Sequence, residues 1–214
     1  MKPLALTMGD PAGIGGELSL KAWQALRAAG PAFVLLDDPD RMQRLAVRMG
    51  LDVPVLAVAD AAEAGAVFGA ALPVLPVKLV AEPVAGRPDA ANAPSVIASI
   101  ELAARLAMDG VVGGVVTNPI SKAALYQVGF AYPGHTEFLA ALTGVAGREV
   151  MMLACPMLRV VPVTVHVSLR EAIGMLTPEI IVAAARTTAS ALRRDFGVVA
   201  PRLAIAGLNP HAGE

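Results

Sequence analysis

Cysteine and charged side chains are scarce in this sequence. It has one cysteine, Cys155, and charged residues make up 16% of the chain, against about a quarter in ordinary soluble proteins. A single cysteine excludes a disulfide framework and a thiolate zinc site, and its place inside an apolar run predicts a buried thiol. The 17 basic and 18 acidic residues balance to a net charge of −1, which excludes a general electrostatic attraction to nucleic acid or to anionic membranes.

Long uninterrupted hydrophobic runs are also missing, although 56% of the residues are apolar and the mean hydropathy is +0.62. The most apolar stretch, "VMMLACPMLRVVPVTVHV" at 150–167, is broken by two prolines, Arg159 and His166, and does not predict a membrane span. We therefore expect a buried α/β core together with a subunit interface. The opening "MKPLALTMGDPAGIG" reaches a turn too early for a secretory signal, which favours the cytoplasm.

Several common catalytic and nucleotide-binding motifs are missing as well. The sequence has no Walker A motif and no H-E-x-x-H, and "GDPAGIGGE" at 9–17 does not match G-x-G-x-x-G. Without a G-x-S-x-G elbow, Ser168 beside His166 is not predicted to be a nucleophile. The sequence thus has no signature of a P-loop, of a Rossmann dinucleotide site or of an α/β-hydrolase nucleophile.

Short apolar runs alternate with helical patterns along the chain. This alternation predicts an α/β fold with a mostly parallel sheet flanked by helices, and no internal boundary is evident within 1–214. Two later runs, "EVMMLAC" and "LRVVPVTVHV", predict the strands of a hairpin. Other predicted strands are "LALTM" (4–8), "AFVLL" (32–36), "VVGGVV" (111–116) and "RLAIAG" (202–207), and predicted helices span 16–30, 94–110, 135–144 and 177–197.

Polar segments follow several of the predicted strands, at the positions where ligands bind in parallel sheets. His166 and His211 stand at two such strand ends, and His135 stands at the start of a helix that we expect Thr136 to cap. Neutral imidazole is a common metal ligand, so His166 and His211 are either two ligands of a divalent metal or ordinary histidines. Two ligands are fewer than the three that the protein usually supplies to a catalytic metal.

Asp10 and Lys122 are candidates for binding an anion. Asp10 lies in a glycine-rich turn that leads into a helix, and this turn either presents N–H groups to an anion or is simply a tight connection. Lys122 follows "TNP" and either holds a phosphate or carboxylate or is a solvated surface lysine. Together these residues predict a strand-end site for a small anionic ligand, with or without a metal.

Four segments in order resemble one family: "MGDPAGIGGE", "TNPISKAAL", "YPGHTEFLA" with the later "VTVHVSLREAI", and "GLNPHAGE". They are similar to 4-hydroxythreonine-4-phosphate dehydrogenase, the pyridoxine-biosynthesis enzyme, and its close relatives. The resemblance runs from Met8 to Glu214, and "PGHTEF" and "LNPHAGE" are its specific parts. Gly16 departs from the pattern, because the family usually carries proline there, and we expect this to change turn rigidity rather than chemistry.

The resemblance implies an isocitrate/isopropylmalate-dehydrogenase-like fold with a hairpin-containing dimerisation region. It implies oxidation and decarboxylation of 4-phosphooxy-L-threonine with NAD or NADP and a divalent metal, which is zinc, with magnesium or cobalt as alternatives. His166 and His211 are then metal ligands, and His135 and Thr136 contact the substrate at the interface of a homodimer. Lys122 and Asp10 are our own substrate-binding assignments, and no residue is assigned to catalysis or to the nicotinamide cofactor.

The family continues beyond "NPHAGE", and its third metal histidine and further substrate contacts are expected in that part, so the site within these residues is incomplete. Three alternatives stay open. The protein is a dehydrogenase of a phosphorylated sugar acid such as D-threonate 4-phosphate, a phosphate acyltransferase of related fold that needs no histidine metal site, or a non-catalytic fragment that binds a ligand.

Overall fold

The computed structural model describes residues 2–212, so Gly213 and Glu214 of the terminal motif lie outside the described residues. Backbone contacts divide the chain into two compact units, Met1–Gly144 and Val145–Glu214. None of the described helices is both long enough and apolar enough to cross a membrane.

The first unit is built on a five-stranded parallel sheet, which confirms the predicted α/β class. Its strand order is β3-β4-β2-β1-β5, and β1 pairs with β2 on one side and with β5 on the other. The strands are β1 (Leu4–Thr7), β2 (Phe33–Asp37), β3 (Val55–Ala57), β4 (Leu72–Pro76) and β5 (Val115–Val116).

Helices cover both faces of this sheet because successive strand residues point to opposite faces. Leu35 of β2 packs with Trp23 and Met42 on one face, whereas Val34 and Leu36 pack with Ala103 on the other. The helices are α1 (Gly15–Leu26), α2 (Pro39–Arg48), α3 (Ala64–Val67), α4 (Ala93–Met108), α5 (Lys122–Tyr126) and α6 (His135–Leu142).

The second unit has little regular structure besides helices. Two short antiparallel strands, β6 (Leu153–Ala154) and β7 (Arg159–Val160), form the predicted hairpin, and α7 (Leu169–Met175) and α8 (Pro178–Arg194) follow. The prediction for α8 is confirmed, with Thr177 at the N-cap position and Pro178 beginning the helix.

Three predictions for the second unit are wrong. The strand predicted at 158–167 is confined to Arg159–Val160, and 202–206 form no strand, because these apolar segments have no hydrogen-bonded neighbour among the described residues. Cys155 is exposed rather than buried, since it lies in the turn of the hairpin, where Cys155 and Leu158 exchange backbone hydrogen bonds.

Candidate functional site at the carboxyl edge of the sheet

The strand order places a topological switch point between β1 and β5. The chain leaves β1 through α1 to reach β2, and it enters β5 from β4 through α4 on the opposite face of the sheet. The loops that follow β1 and β5 meet at this point, which is the edge where ligands bind in sheets of this kind. Two of the predicted polar segments, "GDPAGIG" and "TNPISK", occupy these two loops.

The two loops are joined by hydrogen bonds. The Asp10 N–H donates to the Pro119 carbonyl at 2.8 Å. Gly9, directly before Asp10, has φ of 70°, and a Cβ on Gly9 would lie 2.6 Å from the Pro119 oxygen. Only glycine tolerates both this backbone conformation and this close approach.

Asn118 holds the same junction from inside. Its Nδ2 donates to the Thr7 carbonyl at 2.9 Å and to Ser19 Oγ at 3.0 Å, and its backbone N–H donates to Thr7 Oγ1 at 3.2 Å. The side chain is buried. Asn118 therefore ties β5 to β1 and α1 rather than facing a ligand.

Asp10 lies half-buried at the turn. Its Oδ1 accepts a hydrogen bond from the Ala12 N–H at 3.0 Å, which fits the simple-turn interpretation of this residue. Asp10 also lines a small cleft of about 10 Å³ together with Ser121, the residue that caps α5. Asp10 and the start of the Lys122 helix are thus neighbours at the switch point.

Lys122 and His135 come together around Gly134. A Cβ placed on Gly134 would lie 3.9 Å from Lys122 Nζ and 3.6 Å from Glu137 Oε2. The Nε2 atom of His135 is buried and has no hydrogen-bond partner among the described residues. Burial, and secondly the positive charge of Lys122, lower the pKa of the His135 imidazole, so it is neutral at physiological pH.

Thr136 lies inside the first turn of α6 and does not cap it, so that prediction is wrong. The N-cap residue is Gly134, and no side chain accepts from the first N–H groups of the helix. Burial of Phe138 against Phe130 and Tyr132 sets where the helix begins, two residues earlier than the capping preference suggested. The exposed Thr136 hydroxyl therefore lies beside uncapped backbone donors.

The remaining two predicted site residues lie in the second unit. His166 is exposed and has φ of 58°, the single positive value among the described non-glycine residues. Strained backbone of this kind concentrates at functional sites. His211 is exposed too, and its N–H donates to Asn209 Oδ1 at 2.8 Å.

Residues 2–212 contain no group of three or more His, Cys, Asp and Glu side chains placed to hold a metal ion. Ser168, two residues after the strained histidine, forms a capping box with Glu171 at the start of α7. The structure thus groups Asp10, Lys122, His135 and Thr136 in the first unit and places His166 and His211 in the second.

Sequence reasoning missed two charged residues near the switch point. Asp37 and Arg41 form a buried ion pair at the carboxyl end of β2, and Arg41 also donates to the Pro11 carbonyl. The sequence does carry a signal for this pair. Asp37 directly follows four apolar residues of a buried strand, and an arginine stands one helical turn later.

Comparisons with known proteins agree with the resemblance. Residues 30–214 match the family model described as pyridoxal phosphate biosynthetic protein PdxA. A 4-hydroxythreonine-4-phosphate dehydrogenase of Methylorubrum populi is 50% identical over all of this chain and 63% of its own length. One from Caulobacter vibrioides is 49% identical over all of this chain and 64% of its own length. The chain thus spans less than two thirds of these relatives.

A solved structure supports the same grouping. That structure, titled as a putative 4-hydroxythreonine-4-phosphate dehydrogenase from Salmonella typhimurium, matches with a TM-score of 0.87 at 33% identity, over 100% of this chain and 66% of its own. Sequence and fold therefore agree along the whole chain. The chain belongs to the family of pyridoxal phosphate biosynthetic protein PdxA.

Proposed function

We propose that the protein is a dehydrogenase that oxidises and decarboxylates 4-phosphooxy-L-threonine in pyridoxal 5'-phosphate biosynthesis. The names of relatives that are about half identical to this chain support the reaction class. The observation that carries the assignment is the cluster around Gly134, where an ammonium group, a neutral imidazole with an unpaired nitrogen and uncapped helix N–H groups lie together.

This cluster suits a substrate with two anionic groups. The Lys122 ammonium attracts a phosphate or carboxylate, and the first turn of α6 offers N–H donors at the positive end of the helix dipole. The Thr136 hydroxyl adds a donor at the same turn. The Glu137 carboxylate beside Gly134 disfavours an anion placed directly against it, which directs the ligand toward the Lys122 and His135 side.

His135 contributes a neutral hydrogen-bonding group rather than a charge. Its Nε2 is buried without a partner among the described residues, and a ligand atom would provide one. Because the pKa of the imidazole is lowered, His135 is neutral at pH 7 and offers one hydrogen-bond donor and one acceptor without adding a second positive charge beside Lys122. We assign it to orienting the hydroxyl that is oxidised.

The donor set partly fits a divalent metal. His166 and His211 provide two imidazoles, which suit zinc and also cobalt, but the described residues hold no cluster of three ligands. We propose that these two histidines bind the metal and that the third ligand comes from outside residues 2–212. A bound metal would supply a Lewis acid, and NAD or NADP would accept the hydride.

We further propose that the protein is a cytoplasmic homodimer of the isopropylmalate-dehydrogenase-like class. The second unit supports the homodimer, because it leaves an apolar groove of about 660 Å³ between the hairpin, α8 and 201–206. Many large apolar side chains of this unit are exposed, which is unusual for a monomer. They include Leu153, Met157, Leu158, Val160, Leu203 and Ile205.

The test is NADH formation by the purified protein supplied with NAD, zinc and 4-phosphooxy-L-threonine. We expect turnover that the Lys122→Met change lowers at least about tenfold in kcat/KM, as loss of a charge-assisted contact should. If the protein turns over D-threonate 4-phosphate faster, the substrate is a phosphorylated sugar acid instead. Acyl-phosphate formation without NAD, or no turnover with either hydroxy acid, would contradict the proposal.

A further inference from the structure

The buried ion pair of Asp37 and Arg41 lies beside the candidate site and has no role in the proposed chemistry. Asp37 Oδ2 accepts from Arg41 Nη1 at 2.5 Å, and the two side chains are 0% and 5% exposed. Asp37 Oδ1 accepts from the Asp38 N–H at 2.7 Å, so both carboxylate oxygens are satisfied. A buried pair of this kind gives little net stability compared with apolar residues of the same size, which makes a purely stabilising role a poor explanation.

Arg41 also reaches the glycine-rich turn. Its second nitrogen, Nη2, donates to the Pro11 carbonyl at 2.9 Å. Pro11 follows Asp10 directly, and the Asp10 carbonyl accepts from the Gly13 N–H. The guanidinium therefore links the carboxyl end of β2 to the turn after β1, and only a planar fork with several donors can make both bonds.

Gly16 leaves the space that this bridge needs. A Cβ on Gly16 would lie 3.0 Å from Arg41 Nη2 and 2.6 Å from a Leu45 methyl group. Gly16 is the second residue of α1 and not part of a turn, so the expectation that it alters turn rigidity is wrong. Its missing side chain instead permits close packing of α1 against α2.

We infer that Arg41 is a positioning residue: Asp37 orients its guanidinium, which holds the turn at 9–14, and hence Asp10, in the conformation of the candidate site. The link to substrate rests on the proposed function. The link to the turn rests on the two hydrogen bonds of Arg41 and stands independently of any reaction.

The Arg41→Lys change separates the two bonds. A lysine keeps a charge for Asp37 but cannot also reach the Pro11 carbonyl. We expect the amides of Ala12 and Gly13 to exchange hydrogen at least about tenfold faster, which is the effect of losing one hydrogen bond to a charged group. Amides of β2 such as Leu35 report global stability and should change much less. The matched control is Arg44→Met. Arg44 lies on the same helix as Arg41, and its ion pair with Glu82 is exposed.

Gly16→Ala gives a second route if Arg41→Lys does not fold. It displaces the guanidinium end without removing any charge, and Gly65→Ala in α3, where an added Cβ meets nothing within 4 Å, is its control. We expect faster exchange at Ala12 and Gly13 for Gly16→Ala alone. Equal acceleration of the turn and of β2, or no acceleration in the turn, would overturn the positioning role.

Kinetics distinguish this inference from the proposed function. If both are correct, Arg41→Lys raises KM for 4-phosphooxy-L-threonine about tenfold and leaves kcat within about threefold, because a misplaced turn weakens ground-state and transition-state binding alike. If the wild-type protein does not turn over this substrate, the proposed function is wrong. The exchange measurement then still decides whether Arg41 holds the turn.

Discussion

Single residues at the candidate site are set by burial and by one neighbouring charge. His135 shows this most clearly, because its imidazole is partly buried and the Lys122 ammonium near Gly134 acts on it. Both effects disfavour the imidazolium ion. The site thus contains the Lys122 ammonium group, the Glu137 carboxylate and one neutral donor-acceptor group.

We expect Lys122→Met to raise the pKa of His135 toward its ordinary value of 6.5 without reaching it, because burial, the larger cause, persists. NMR titration of the three imidazoles measures this directly. Lys78→Met is the control, since Lys78 is paired with Asp38 and Asp40. An unchanged His135 titration in Lys122→Met would show that the lysine charge does not act on this imidazole.

The same pKa makes a prediction for stability. An unfolded chain protonates this histidine below 6.5, whereas the folded protein resists protonation until a lower pH. Folding free energy is therefore lost as pH falls from 6.5 toward the lower folded pKa. Urea unfolding of the wild type and of His135→Gln over this range should show a steeper acid loss in the wild type. Parallel curves would contradict the assignment.

His166 is strained in a way that substitutions can measure. A residue with a Cβ at φ of 58° costs roughly 1 kcal/mol or more relative to glycine. We expect His166→Gly to be about 1 kcal/mol more stable than His166→Ala in urea unfolding. At His211, which has no positive φ, alanine should be at least as stable as glycine. Equal stability of the two His166 variants would argue against the left-handed backbone.

At the scale of secondary-structure elements, the site depends on how the loops after β1 and β5 are joined. Asn118 connects three elements through hydrogen bonds to Thr7 and Ser19, and Ser99 of α4 bridges the ends of β1 and β2 by accepting from the Met8 N–H and donating to the Leu36 carbonyl. These polar side chains are buried and satisfied. Because these side chains bond the ends of neighbouring strands, they fix the loops after β1 and β5 relative to the sheet.

We expect Asn118→Ala to destabilise the protein by about 2–4 kcal/mol, because two donors are lost and the buried Thr7 carbonyl loses its side-chain partner. Asn118→Asp should be worse, since it places an acceptor-only charge in the same position. Thermal or urea unfolding measures both, with the exposed Gln127→Ala as control. A loss below about 1 kcal/mol would show that water replaces these bonds.

At the scale of the whole molecule, the two units differ in how much they bury. The first has three clusters of buried apolar residues around its sheet. The second exposes apolar side chains along its hairpin and its last segment, where 202–206 lack a strand partner among the described residues. In the proposed homodimer, the partner subunit would cover these exposed apolar side chains.

We expect Leu158→Lys to convert a dimer into a monomer, because it places a charge in the apolar groove. Light scattering coupled to size-exclusion chromatography reads the mass. Val47→Lys is the matched control, because Val47 is 72% exposed on α2 in the first unit. A dimer that survives Leu158→Lys, or a wild-type monomer, would contradict an interface at the groove.

The sequence by itself determined the parallel sheet of the first unit, α8, and the residues grouped at the switch point. Apolar runs, helix caps and glycine turns are local signals, and β1, β2 and α8 carry them within a few residues. The positions of Asp10 and Lys122 then follow from the rule that loops at the carboxyl ends of parallel strands meet.

Only the tertiary structure decided the rest, because contacts between distant segments set it. The start of α6 depends on the packing of Phe138 rather than on the capping preference of Thr136. The apolar segment at 202–206 is not a strand, since pairing needs a neighbour that local sequence does not specify. In the bridge from Asp37 through Arg41 to Pro11, Arg41 and Pro11 are 30 residues apart in the sequence. The bridge therefore exists only once α1 and α2 are packed.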